Sequence, residues 1–489
     1  MSKRREQSII ISDSQYQSAR WVLVSLSLAA LLSSLGTSIA NVGLPTLVDA
    51  FDATFQQVQW VVLAYLLAIT TLIVSAGRLG DLFGRRRMLL VGIVLFAVAS
   101  ALCALAPSLW LLIAARVLQG LGAALMMSLA MALVGESIPK EKTGSAMGIL
   151  GTVSAIGTAL GPSLGGVLID QGGWPLLFLI NAPLGALAWL LALRFLPVDR
   201  LSTVEAKPRF DVVGTLLLTL TLTAYALAMT LSRGHFGELN LSLLLAAALG
   251  LGLFIRSQVK ANSPLIRLSL FRTPALTLGF VMSMLVTTVV MATLVVGPFY
   301  LAGALALDAS HVGLVMASGP IVAALVGTPA GRIVDGLGAE RMTLVGLLAM
   351  FVGAALLTLL PVSFGIAGYA LPLMVLTGGY AMFQAANNTS VMTHLTAQQR
   401  GVGAGLLGLS RNLGLITGAS LMGMVFALGA GVADITAAAA DTIDSGMRLT
   451  FGVAAGLIIG ALALGLVGHL RSQFDAESAS AQKKGLGHE

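Results

Sequence analysis

Apolar stretches, separated by short clusters of charge, proline and glycine, run through almost the whole chain. A helix needs about 20 consecutive apolar residues to cross the ~30 Å hydrocarbon core of a bilayer. By that measure the pattern predicts fourteen spans, over residues 21–43, 57–77, 88–106, 109–135, 145–169, 175–196, 212–232, 240–257, 273–301, 311–331, 342–361, 367–393, 402–428 and 447–469. The first run is too long for the apolar region of a signal peptide and has no convincing cleavage site, so it is expected to be retained as span 1. The longest polar stretches are about twenty residues, too short for a soluble domain.

Composition agrees: of 489 residues 57% are hydrophobic and 10% charged, where a soluble chain is about a quarter charged. A soluble enzyme with one anchor is excluded. The single cysteine, Cys103, excludes a disulfide framework, a Cys-ligated zinc site and an iron–sulfur cluster. The net charge of +7 would suggest a nucleic-acid partner if it formed a basic patch. It does not. With both termini cytoplasmic, 24 of the 28 Lys and Arg fall in tails and loops on that side. Arg233 and Arg448 fall outside, while Arg116 and Arg411 lie within spans. A wrong helix count would scramble this alternation, so the positive-inside rule supports both count and orientation.

Gly77-Arg-Leu-Gly-Asp81-Leu-Phe-Gly84-Arg85-Arg86-Arg87, between spans 2 and 3, recurs as Gly331-Arg-Ile-Val-Asp335-Gly-Leu-Gly338-Ala-Glu-Arg341, between spans 10 and 11. The offset is 254 residues. Thr143-Gly144-Ser-Ala-Met-Gly148 and Arg400-Gly401-Val-Gly-Ala-Gly405 echo each other at offset 257. Two parallel six-helix halves follow, with spans 7 and 8 inserted between them. The expected organisation is a tail at 1–20, a six-helix bundle at 21–196, a linker carrying two extra helices at 197–272, a second bundle at 273–469 and a tail at 470–489.

Three segments carry candidate mechanism. In the first loop, glycines permit tight turns, and Asp81 can accept hydrogen bonds from a helix N-terminus, where the dipole favours an anion. Arg85 can reach Glu136 at the end of span 4, forming a latch that breaks as bundles rock; Arg86 and Arg87 read more simply as topological anchors. In span 4, Arg116-Val-Leu-Gln119-Gly120 buries a guanidinium at a cost of ~2.5–3.5 kcal/mol at mid-helix. It is expected to face a cavity or a partner unless it snorkels outward. In span 5, Gly157-xxx-Gly161-Pro162-xx-Gly165-Gly166 lets a facing helix approach closely and bends at the proline.

Together these resemble the three signature motifs of the major facilitator superfamily, and the span 5 run resembles its antiporter motif. Asn41-Val-Gly-Leu-Pro45, Gln59-Trp60 and Trp174…Asn181-Ala-Pro183-Leu-Gly185 are similar to segments of fourteen-span drug:proton antiporters of the EmrB/QacA type. The resemblance implies an all-α polytopic membrane protein of the major facilitator fold, in a bacterial inner (plasma) membrane. It implies a non-enzymatic exporter of small amphiphilic molecules, driven by protons through alternating access. Arg116 would serve proton coupling, Asp81 and Arg85 the gating latch, and the span 5 motif the hinge.

One departure matters. Such antiporters carry an acid in span 1 before the Asn-Val-x-Leu-Pro, and here that place is Gly36. No carboxylate lies near a span centre; Asp170, at the outer end of span 5, and Glu136 remain as proton carriers. Two cations in the bilayer without an acid favour neutral or anionic amphiphiles over permanent cations, or one dedicated metabolite or lipid-like compound. Gln384, Asn387 and Asn388 share one face of span 12, lining the cavity or bonding to a neighbouring helix. Asn41, Gln119, Asn181, Arg411 and Asn412 complete the cavity candidates. No cofactor or metal site is expected, since the histidines are scattered, and no nucleotide loop occurs. Expected partners are substrate, protons and lipid, with the chain monomeric and an outer adaptor protein left open.

Overall fold

The computed structural model describes residues 2–137, 140–199, 211–230, 237–261, 264–266, 271–395, 400–431 and 438–485, and among these all regular structure is helical. The helices are α1 (Ser2–Val42), α2 (Leu44–Phe51), α3 (Phe55–Phe83), α4 (Arg85–Ala104), α5 (Leu109–Ser137), α6 (Lys140–Gly172), α7 (Pro175–Leu179), α8 (Asn181–Phe195), α9 (Val212–Thr230) and α10 (Glu238–Lys260). They continue as α11 (Pro274–Gly303), α12 (Ala309–Leu337), α13 (Ala339–Leu359), α14 (Gly365–Thr393), α15 (Arg400–Thr417), α16 (Gly423–Ala430) and α17 (Ala440–Gly485). Among the described residues each of the fourteen apolar stretches falls on helix, and twelve segments are long and apolar enough to cross a membrane. The other two stretches, in α6 and α9, include residues whose side chains lie outside those described.

Local chemistry explains where helices break. Span 6 divides after Leu179 because Pro183 has no N–H to donate to the carbonyl four residues back. Span 13 contains a π-turn, Gly418–Met422, joining α15 to α16. The unpredicted α2 starts at Leu44-Pro45 and buries Leu44, Leu47 and Val48 on one face. A reciprocal capping box starts α3: Gln57 N–H donates to Thr54 Oγ1 at 3.3 Å, and Thr54 N–H to Gln57 Oε1 at 2.8 Å.

The chain forms two compact units: Met1–Leu265 with Ala306–Ala317, and Ile266–Leu305 with Ser318–Glu489. In the first, α1 packs along α6, α4 along α5 and α8, and α3 along α5. The inserted pair packs α9 on α10, and Ser75 of α3 bonds Thr215 of α9 at 3.0 Å. In the second, α11 packs along α15 and α17, and α13 along α14 and α17. Three pairings recur between the units: spans 1 with 5, 3 with 4 and 3 with 6 correspond to 9 with 13, 11 with 12 and 11 with 14.

Glycine supplies the close approach that membrane helices need where lipid gives no hydrophobic drive. A Cβ on Gly92 would lie 3.1 Å from the Gly122 carbonyl, and one on Gly346 only 2.8 Å from that of Gly379. Gly157 abuts the Leu31 carbonyl of α1, and Gly414 abuts the Met284 carbonyl of α11. Gly161 meets Ser38 of α1, and Gly418 meets Thr288 of α11. Gly92 and Gly346 are 254 residues apart, and the other three pairs 257.

Candidate functional site

Arg116 is fully buried in the first unit, among α1, α3, α5 and α7. Its Nε donates to the Val61 carbonyl at 2.8 Å, Nη1 to Gln119 Oε1 at 2.5 Å and Nη2 to the Gly36 carbonyl at 3.1 Å. The Tyr65 ring lies 4.1 Å from the guanidinium carbon and Phe178 5.7 Å. Gln119 in turn donates to Ser100 Oγ at 2.7 Å, whose hydroxyl donates to the Phe96 carbonyl. Tyr65 donates to the Ser33 carbonyl at 2.8 Å. The site is therefore sealed: Arg116 faces partners, it does not snorkel, and among the described residues no carboxylate accepts from it. Bonds to a charged donor contribute about 1.5–3 kcal/mol each, and a desolvated cation over a ring about 2. Together they offset the ~2.5–3.5 kcal/mol insertion cost.

Gly36 is where the sequence lacks an acid. Its carbonyl bonds Arg116, and a Cβ there would lie 2.9 Å from the Tyr65 hydroxyl and 3.2 Å from the Phe96 ring. The space a side chain would take is filled by aromatic rings.

On α6, Gly157, Gly161 and Gly165 face α1, and Ser38 Oγ donates to the Gly157 carbonyl at 3.4 Å. Gly166 and Pro162 face the other way, onto the start of α12: a Cβ on Gly166 would meet the Ala309 carbonyl, and one on Gly313 the Pro162 carbonyl. At this end the Ser310 hydroxyl donates to Asp170. Asp308 caps α12, accepting from His311 N–H at 2.8 Å and from its ring at 2.7 Å. The backbone donor, then the ring, hold the exposed Asp308 carboxyl below its ordinary value.

Side chains of Asp81 and Glu136 lie outside the described residues, and Arg85 is half-buried. The acid seen at the N-terminus of α4 is Asp199, from the linker after α8. It accepts from Arg86 N–H at 2.8 Å and Arg87 N–H at 3.1 Å. Gly84, at φ +96°, is the residue whose added Cβ would strike that carboxylate. Asp81 and Asp335 repeat between the two corresponding loops, whereas Asp199 belongs to no repeat, and its place after an arginine-terminated helix is the one sequence feature that marks it.

Among the amides, Asn41 and Asn181 are fully buried; Asn41 donates to Thr37 of its own helix at 3.0 Å, and Asn181 to Leu177 of α7 at 3.3 Å. Neither Oδ1 has a partner among the described residues. In the second unit the amides of α14 diverge. Asn387 is buried and donates to the Gly279 carbonyl of α11 at 3.1 Å, Gln384 is half-buried, and Asn388 is exposed. Arg411 is half-buried, while Asn412 is buried, its Nδ2 without a partner among the described residues. Among the described residues no three His, Cys, Asp or Glu gather as a metal site.

Two bundles of transmembrane helices with repeated pairings define a polytopic helical transporter fold. The Major Facilitator Superfamily model matches residues 26–419, and the chain belongs to that family. It is 31% identical to the riboflavin transporter RibZ of Clostridioides difficile, over 83% of this chain and 88% of that protein. It is 32% identical to the multidrug resistance protein Stp of Mycobacterium tuberculosis, over 83% of this chain and 75% of that one. The fold is also that of a bacterial homolog of the human lysosomal transporter Spinster, inward-facing and unoccupied, at TM-score 0.67 and 16% identity, covering 92% of this chain and 97% of that one.

Proposed function

We propose that this facilitator exports small amphiphilic molecules, neutral or anionic, by proton-coupled alternating access across fourteen spans. The observation that carries the reading is the Arg116 site, a cation held by two backbone carbonyls, an amide oxygen and two rings. With Gly36 in place of an acid, that charge is not cancelled locally. A permanent cation ~8 Å away would be repelled by about 2 kcal/mol at an effective dielectric of 20. The multidrug-resistance relative supports export of varied cargo.

The test is transport in an efflux-deficient host over cationic, neutral and anionic compounds, with and without a protonophore. Protonophore-sensitive resistance to neutral or anionic compounds is expected. Resistance confined to cations overturns the charge assignment, and export indifferent to the protonophore removes the proton coupling.

A second reading is a transporter dedicated to a single neutral or anionic metabolite. The riboflavin-transporter relative favours it. One compound transported from the panel, with no response to the rest, selects this reading.

A further inference from the structure

Two concave surfaces meet at Leu193, at the end of the first unit that carries the arginine-rich loop. One, about 510 Å³, is lined by Trp21, Leu190, Leu191, Leu193, Arg194 and Phe195. The other, about 240 Å³, is lined by Phe83, Arg86, Arg87, Leu90, Leu193, Val198 and Asp199. Their walls differ in character. Trp21 and Phe195 stack at 5.1 Å and 11°, joining α1 to α8, and Trp21, Leu190 and Leu193 remain exposed. Val198 is 76% exposed and Phe83 58%. Against this apolar floor stand three guanidinium groups. Arg194 lies 5.6 Å from the Phe195 ring. Arg86 spends one nitrogen on the Leu193 carbonyl, and its buried Nε has no partner among the described residues. Among the described residues neither Arg194 nor the Arg87 side chain is paired with a carboxylate. The one acid in the lining, Asp199, is spent on the backbone donors of α4.

An apolar trough with an aromatic wall at one side and unpaired arginines at its mouth matches one chemistry. We infer that this trough, formed by α1, α4 and α8, binds an anionic phospholipid, its acyl chain along Trp21, Leu190 and Phe195 and its phosphate at Arg86, Arg87 and Arg194. Basic pockets between spanning helices select acidic headgroups, and an aromatic ring belongs at headgroup depth. A guanidinium grips phosphate bidentately where an ammonium acts only as a point charge. Three arginines against one neutralised acid make a zwitterionic headgroup the poorer fit. The site is separate from Arg116 and acts on no cargo. By holding α8 and the linker acid Asp199 against α4, a bound lipid stabilises the first unit.

The experiment uses the full chain in nanodiscs of zwitterionic lipid, doped with brominated phosphatidylglycerol or brominated phosphatidylcholine. Tryptophan fluorescence is read for the wild type and for Trp21→Phe, the difference reporting on Trp21. Stronger quenching of Trp21 by brominated phosphatidylglycerol is expected. The pair Arg87→Gln with Arg194→Gln should weaken that preference on the order of tenfold. Arg272→Gln, a basic residue elsewhere, should leave it unchanged. Thermal unfolding of each variant separates lost lipid from lost fold, and Arg194→Lys, which keeps the charge, should retain part of the preference. Equal quenching by both lipids overturns the site, as does an equal loss in Arg272→Gln. No quenching of Trp21 by either lipid means that another part of the chain fills the trough, and also overturns it.

Discussion

At the residue scale the centre of interest is Arg116, because its charge is distributed over acceptors that cannot change protonation. Two backbone carbonyls and an amide oxygen take its donors. Arg116→Lys keeps the charge but cannot reach three acceptors in a fork, so at least one buried carbonyl is stranded at ~1–3 kcal/mol. We expect transport to fall by tenfold or more in proteoliposomes, with a lower unfolding midpoint. Arg116→Ala should cost more on both measurements. Gly36 tests the electrostatic argument from the other side. Gly36→Ala adds only the crowding against Tyr65 and Phe96, at ~1–3 kcal/mol. Gly36→Asp adds that crowding and a carboxylate beside the guanidinium. The aspartate variant should therefore gain efflux of permanent cations relative to the alanine variant. Equal cation efflux by the two variants contradicts the role given to Arg116. Asp308 makes a smaller, pH-dependent contribution. Its carboxyl is held below the ordinary range by His311, so its contribution is intact above that range and is lost as pH falls through the depressed value. Thermal melts of the wild type and Asp308→Asn should differ at neutral pH and converge in strong acid.

At the element scale, glycine decides which helices touch. The run on span 5 was legible as a close-packing face, yet which residues split between two partners was not. Gly157, Gly161 and Gly165 meet α1, whereas Gly166 meets the start of α12. A four-residue spacing defines a face of one helix and carries no information about what lies opposite. The counterpart on span 13 was hidden for a different reason. Gly414 and Gly418 keep the spacing and the offset but lack the proline, and a π-turn follows. Substitution at the tightest point should act through geometry. Gly161→Val forces a branched side chain into Ser38 and the Ile39 backbone, and should destabilise by at least the ~1–3 kcal/mol of an overpacked core. Gly418→Val should do the same to the second unit, read by thermal unfolding of purified protein. Asp199→Ala removes the acceptor from two N–H groups of α4 and should cost about 0.5–2 kcal/mol as a lost cap. Asp199 escaped the motif reading because its role depends on the chain returning to α4 after more than a hundred residues.

At the scale of the whole molecule, hydropathy located every helix in the described residues except α2, while it gave no account of depth or partners. The reason is physical: transfer from water to hydrocarbon sets the length of an apolar run, and packing sets everything else. The candidate site was legible to the same extent. Arg116 and Gln119 stood out because a cation in a span is costly, but Tyr65, Ser100 and Phe178 resemble ordinary core residues until the fold gathers them. What separates the fourteen-span topology from a twelve-span one is the pair α9 and α10. α10 has the length and hydropathy of a span, α9 is a helix of 19 residues, and the two pack on each other, α9 also on α3. Asp211 ties them together, capping α9 through Gly214 N–H at 2.8 Å and accepting from Gln258 of α10 at 2.8 Å. That acid joins the start of one helix to the end of the other, so both of these ends sit at the same side. An antiparallel pair that crosses puts its connecting loop on the opposite side. Reporter fusions after residues 203, 235 and 262 distinguish the arrangements. Fourteen spans place 203 and 262 with the basic loops in the cytoplasm and 235 outside, where Arg233 is the single basic residue of its loop. If the pair lies along the membrane surface, all three fusions report the cytoplasm. The six basic residues between 256 and 272 and between 207 and 209 then face no outer loop at all, and the alternation of charge that supports the topology fails at this one point.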